Sequence, residues 1–373
     1  MKFHDLKSFD DLPKDWSQFF DYREDISYLK RQTDKIDFDF ENVIVIGNGG
    51  SITSFKAYAV KPKKKVYIID SMDPTLLKNV KKQCQSDKTV VIAVSKSGNT
   101  LGVVESLAYF SSYKIIVVTE GEEGTLRQIA TKMKWQIIEH PNISGRYSGA
   151  TSAGLFPALL SGIEIENIVS GISHGYKYKK EAWSLAKYFY NLEGKGYSEV
   201  YVSAYANSLN NFRTLIVQLM HETVCKQGRG QTFYFSEAPE CQHHTNQRFF
   251  GGKKNVIGVF ITTEKSADDK KISLPKEIEN IELKRLVLKK LENITYQQAL
   301  LAEYKGTKTE ANRLAIPNIT IELANTEDQS LGELLAFWQL VAFYSAIIRN
   351  VNPFDEPAVT NSKNITIEEI KKN

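Results

Sequence analysis

The sequence predicts an α/β protein in which two successive layers each carry a mainly parallel sheet flanked by helices. Three observations point there. Short β-branched runs recur along the chain, each followed by turn residues or charges. Segments long enough for helices separate them, which is the pattern of βαβ units with a sheet buried on both faces. At 373 residues the chain also exceeds one domain of roughly 100–200 residues, so two units are expected.

In chain order, residues 1–37 are polar and read as a helical segment, with Tyr22, Ile26, Tyr28 and Leu29 forming an approximate apolar stripe. The first α/β unit spans 38–172, with strands at Val43–Ile46, Val66–Ile69, Val90–Val94, Ile115–Val118 and Ile137–Ile138. A Lys-rich stretch, Lys177 to Lys187, reads as a connecting helix with a solvated face, and the connection spans 173–195. The second unit, 196–350, carries strands at Val200–Ser203, Thr232–Phe235, Val256–Thr262 and Ile319–Leu323. Helices are expected there at Leu209–Glu222 and Gly332–Ile348. A C-terminal segment, 351–373, ends in a charged tail that is helical at most.

Composition limits the function. Hydrophobic residues make up 42% and charged residues 25%, which excludes a disordered chain. The 48 basic and 44 acidic residues leave only +4, and the aromatics are dispersed, so no nucleic-acid surface is expected. The apolar stretch near Ala336–Ile348 is interrupted by Gln339 and falls short of the ~20 residues a bilayer requires, so no membrane span is expected. Three cysteines and an N-terminus without an apolar signal core point to a reducing, cytoplasmic location.

Five motifs carry chemistry. Val43–Ser51, VIVIGNGGS, sets glycines after a buried strand, where backbone N–H groups can approach an anion; a purely structural tight turn explains it equally. Ile52 breaks the dinucleotide fingerprint, and no Walker lysine follows. Val94–Thr100, VSKSGNT, offers Ser95, Lys96, Ser97 and Thr100 to a phosphate, or serves only to cap the next helix. Arg146, among small residues in ISGRYSGATSAGLF, suits an oxyanion partner or a surface position. Glu222, entering the Gly-rich loop of QLMHETVCKQGRG, suits a general base or a solvated carboxylate. In CQHHTNQRFFGG the adjacent His243 and His244 cannot face one point. A zinc set from His221, Cys225, Cys241 and His243 matches no compact spacing, and no metal is expected.

Taken together and in order, these motifs resemble the phosphoglucose isomerase family, built from two sugar isomerase (SIS) domains. The resemblance runs from about Val43 to Lys363. GRYS with GLFPALLSGI is similar to G-G-R-[FY]-S…G-L-x-P. Gln218-Leu219 with Glu222, Lys226 and Gly228 is similar to Q-L-x-x-E-S-x-G-K-x-G. Gln242-His243 with Gln247 is similar to Q-H-x-x-x-Q, and Asn352-Pro353-Phe354-Asp355 with Lys363 to the closing N-P-F-D-Q-P-G-V-E-x-x-K.

The resemblance implies two SIS-type subdomains and an isomerase interconverting glucose 6-phosphate and fructose 6-phosphate through ring opening and a cis-enediol. Glu222 falls on the base, Arg146 on the enediolate partner, and His243 with Lys363 on the ring-opening pair. The Ser95–Thr100 loop falls on the phosphate site, and Gly49, Gly50 and Ser51 beside the sugar. It implies a phosphorylated hexose substrate, no cofactor, and a homodimer in which the histidine reaches the neighbouring subunit's site. The alternatives are a related sugar-phosphate isomerase, one accepting mannose 6-phosphate included, and a non-catalytic phosphosugar-binding module.

The family's S-K-S-G-T-T-x-E has Asn99 and Gly102 here, so His243 is expected to lack its usual carboxylate support. Glu356 replaces a Gln. It is expected to face the phosphate and donate a hydrogen bond as the amide would; the alternative is that it turns away and pairs with a cation.

Overall fold

The structure, a computed structural model, describes residues 1–12, 22–121 and 123–372. The chain runs β1 (Lys2–His4), α1 (Ile26–Thr33), β2 (Asn42–Gly47), α2 (Gly50–Tyr58), β3 (Lys65–Ile69), α3 (Pro74–Gln83), β4 (Thr89–Val94), α4 (Leu101–Tyr109), β5 (Lys114–Thr119), α5 (Thr125–Met133), β6 (Gln136–Glu139), α6 (Ser152–Leu160), α7 (Ile165–Gly175) and α8 (Lys179–Glu193). It continues with β7 (Glu199–Ala204), α9 (Arg213–Val224), β8 (Thr232–Glu237), α10 (Thr245–Gly251), β9 (Val256–Thr263), the short β10 (Glu282–Leu283) and β11 (Leu286–Val287), α11 (Tyr296–Arg313), β12 (Asn318–Leu323), α12 (Asp328–Ile348) and α13 (Thr360–Lys371).

Two five-stranded sheets result. The first has the order β3-β2-β4-β5-β6 and is parallel throughout. The second has the order β1-β12-β9-β7-β8 and is parallel except at its β1 edge. The fold is therefore mixed α/β with parallel sheets flanked by helices, as the β-branched runs predicted.

Strand alternation sends successive side chains to opposite faces. Val43 and Val45 join a core shared with Val200 and Val202 of the second sheet, whereas Ile44 and Ile46 pack outward under α3, α4 and α5. The inner faces of both sheets, with α2, α6, α7, α8, α9 and α12, form one continuous hydrophobic cluster. Helix α12 runs through it. A Cβ on Gly171 would lie 2.0 Å from the Gln329 carbonyl oxygen, and one on Gly332 would lie 2.3 Å from that of Ile168. Glycines on α7 and α12 thus let the two backbones approach within a distance no side chain allows.

The structure corrects three expectations. The N-terminal segment is not wholly helical: Lys2–His4 is an antiparallel edge strand on β12, because three residues are too few to display a strand pattern. The helical expectation for residues 13–21 lies outside the described residues. Helix α12 starts upstream of its apolar run and reaches 21 residues, long and apolar enough to cross a membrane, yet it lies buried within the shared core. The Lys-rich stretch is more than a solvated face, since α8 buries Ala182, Trp183, Leu185, Ala186 and Phe189.

Candidate active site

In the first sheet β2 pairs with β3 on one side and β4 on the other, so the connections leave β2 and β4 in opposite directions. Ligands of open α/β sheets bind in the crevice at such a switch point, beyond the carboxyl ends of the strands. The loops Asn48–Ser51 and Lys96–Thr100 leave those two ends, and both line a cleft of about 390 Å3. Ser144–Arg146, Gln218, Glu222, Glu356, Val359 and Lys363 complete its walls. Residues scattered over most of the sequence are thereby gathered at one place.

The glycines of the first loop have separate reasons. Gly49 holds φ +53°, a left-handed conformation that costs glycine no steric penalty. Gly50 faces a backbone: a Cβ there would lie 2.4 Å from the Arg146 nitrogen and 2.5 Å from the Gly145 carbonyl carbon. Gly50 thus lets α2 begin against the turn that presents Arg146. In the second loop, Ser95 is buried, and its hydroxyl pairs with that of Thr100 at 2.9 Å. Ser95 does not line the cleft, which corrects its expected role as a phosphate donor. Lys96, Ser97 and Thr100 do line it. The capping reading fails as well, because Thr100, the N-cap of α4, makes no side-chain capping bond.

Arg146 is the centre of the site. Its side chain is 1% exposed. Nε donates to Glu222 Oε2 at 3.0 Å, and Nη1 donates to the carbonyls of Pro353 at 2.9 Å and Asp355 at 3.3 Å. Nη2 donates to a Glu356 carboxylate oxygen. Glu222 stands in the last turn of α9 and keeps 33% of its side chain exposed, so it can reach a ligand in the cleft. Glu356 therefore pairs with a cation, contrary to the favoured expectation that it faces the phosphate. The two residues are 210 positions apart, too far for local sequence to reveal the pairing.

The segment bearing Glu356 is tied down at several points. Lys226 Nζ, 8% exposed, donates to Asp355 Oδ1 at 2.7 Å and to the Asn352 carbonyl. The Phe354 ring meets Tyr147 edge-on at 5.7 Å. From this strap α13 departs, with Lys363 on the cleft wall.

His243 does not join this group. It is exposed, ends the turn Glu240–His243, and lines a separate cleft of about 760 Å3 with Gln242, Gln247 and Glu310. Gly102 lies at the start of α4, where a Cβ would meet Met72 Cε at 3.0 Å and Asn48 Oδ1 at 3.3 Å. Of the zinc candidates, His221 Nε2 accepts the Phe233 N–H at 2.8 Å and the Cys225 thiol donates weakly to the Gln231 carbonyl at 3.6 Å. Among the described residues no group of three His, Cys, Asp or Glu side chains is arranged to hold a metal ion. Sequence reasoning missed Asn48, Ser144 and Gly145 as cleft residues, although each adjoins a quoted motif position; Gln218 was visible in its motif but given no role.

The fold is that of phosphosugar isomerases. A crystal structure of a hypothetical protein from Thermus thermophilus matches with a TM-score of 0.82 at 21% identity, covering 92% of this chain and 87% of that one. A glucose-6-phosphate isomerase from Chlamydia trachomatis matches with a TM-score of 0.74 at 19% identity, covering 92% of this chain and 72% of that one. In sequence, the chain is 29% identical over 356 residues to a glucose-6-phosphate isomerase of Methanocaldococcus jannaschii, a match that covers 89% of this chain and 85% of that protein. No family model matches the chain. Fold and relatives together support the class of sugar-phosphate isomerases.

Proposed function

We propose that the protein interconverts glucose 6-phosphate and fructose 6-phosphate through a cis-enediol intermediate. The observation that carries this reading is the cleft's pairing of one accessible carboxylate, Glu222, with one buried guanidinium, Arg146, 3.0 Å apart. Aldose–ketose isomerisation moves a proton between adjacent carbons. It needs one positioned base and a cation where negative charge develops on the oxygens.

Glu222 takes the proton from C2 and returns it to C1, while Arg146 stabilises the enediolate. The phosphate sits against Lys96, Ser97 and Thr100, with the amides of the Asn48–Ser51 loop alongside the sugar. Lys363 assists ring opening from α13. His243 lines a different cleft, so its part in ring opening requires a second copy of the chain, and we infer a homodimer with shared sites. A reducing cytoplasm suits the three free cysteines. The proposed chemistry calls on no cofactor. The test is the rate at which the purified chain converts fructose 6-phosphate to glucose 6-phosphate, with mannose 6-phosphate as the competing substrate. Absence of turnover between fructose 6-phosphate and glucose 6-phosphate would overturn the proposal.

A further inference from the structure

Each nitrogen of Arg146 donates to an acceptor within the chain. Two of its acceptors are the fixed carbonyls of Pro353 and Asp355, which hold the guanidinium in place. The other two are carboxylates, Glu222 on Nε and Glu356 on Nη2. Glu222 has chemistry to perform in the proposed reaction; Glu356 has none there. Its side chain is 42% exposed and it lines the same cleft. Lys96, Arg146 and Lys363 supply the cleft's cationic side chains and Glu222 and Glu356 its carboxylates, so one carboxylate alters the local balance substantially.

We propose that Glu356 is a gate on Arg146: its carboxylate occupies the Nη2 edge that an anionic head group of the ligand must take. Nη2 has two N–H groups, and Glu356 takes one; a second anion on the other would stand beside that carboxylate, and like charges so close repel. A ligand oxyanion then binds by displacing Glu356, and the free energy of that displacement opposes binding. The carboxylate lies at the end of the strap fixed by Lys226 and Phe354, which keeps it close to Arg146 and makes the competition intramolecular. Glu356 acts through Arg146 and is a positioning residue rather than a catalytic one. This inference rests on the sugar-phosphate reading of the cleft.

The test is calorimetric titration of the full chain and of Glu356→Gln with two ligands. Arabinonate 5-phosphate carries a carboxylate where an enediolate would carry charge. Arabinitol 5-phosphate carries the same phosphate and a neutral head. Removing the competing charge should tighten the acid phosphate by about three- to tenfold, and the alditol phosphate by less than about twofold. Glu356→Ala should behave alike, which protects the result if one variant folds poorly. Equal tightening of both ligands would mean that Glu356 opposes the phosphate rather than gating Arg146. No change in either would also overturn the gate. Failure of both ligands to bind the unaltered chain would instead remove the sugar-phosphate reading, and the gate with it.

Discussion

Replacing Arg146 by Lys separates the two duties the structure gives it. The guanidinium holds the strap through Pro353 and Asp355 and meets two carboxylates, while its side chain is only 1% exposed. Lys keeps the charge but lacks the planar fork, so it cannot satisfy four acceptors in these directions. Breaking a buried ion pair costs about 3–5 kcal/mol. Here Glu222 and Glu356 remain 33% and 42% exposed, so water recovers part of the loss. A destabilisation of about 1–3 kcal/mol is expected, a fall in Tm of roughly 1–4 °C for a chain of this length. Turnover should fall further than stability implies, because loss of one oxyanion donor costs about 100- to 1,000-fold. The assays are a thermal melt and the coupled fructose 6-phosphate assay at a temperature where both proteins are folded. A lowered Tm with turnover within about threefold of the unaltered chain would refute the oxyanion role and leave Arg146 as a strap anchor.

Three further outcomes are expected. Mixing Glu222→Gln chains with His243→Ala chains should restore about a quarter of the unaltered turnover, since half of random dimers carry one intact shared site; no recovery after subunit exchange would show that His243 does not cross to a neighbour. Gly102→Glu should be tolerated, because the nearest obstacle is the end of the exposed Met72 side chain, and it should raise the rate with cyclic substrate; an unchanged rate would mean that His243 is supported otherwise. Burial pushes the His140 imidazole below its ordinary value of 6.5, while Nδ1 donates to the Pro141 carbonyl at 2.7 Å and Nε2 stays buried and unpartnered. The unfolded chain therefore binds the proton first, so stability should fall as pH drops from about 6.5 toward the folded value. His140→Phe should flatten this acid limb in melts across pH 7.5 to 5, with a residual slope from the half-buried His221, whose imidazole burial also holds below its ordinary value; an unaltered slope would show that His140 titrates normally in the folded protein.

The parallel strands were legible because each is a short β-branched run buried on both faces, as Val90–Val94 shows with every residue inaccessible. Helix α11 was not. It is polar, contains Gly306, and buries only Tyr304, Thr307 and Ala311. Its one local signal is the capping box formed by Thr295 and Gln298, too brief a pattern to mark a helix of 18 residues without an apolar face behind it. In the site, loop residues beside strand ends could be read locally, as with Lys96, Ser97 and Thr100. The burial of Ser95 and the turn of Glu356 toward Arg146 could not. Both depend on what the folded chain brings alongside, and the partner of Glu356 sits on the far side of the sequence.

In the proposed reaction Glu222 moves a proton on a sugar phosphate. The most direct measurement is turnover of fructose 6-phosphate by the unaltered chain and by Glu222→Gln, which preserves the shape of the side chain but cannot accept the proton. Measurable turnover is expected in the first and a loss of about 100-fold or more in the second, with substrate still bound. Near-normal turnover in Glu222→Gln would contradict it.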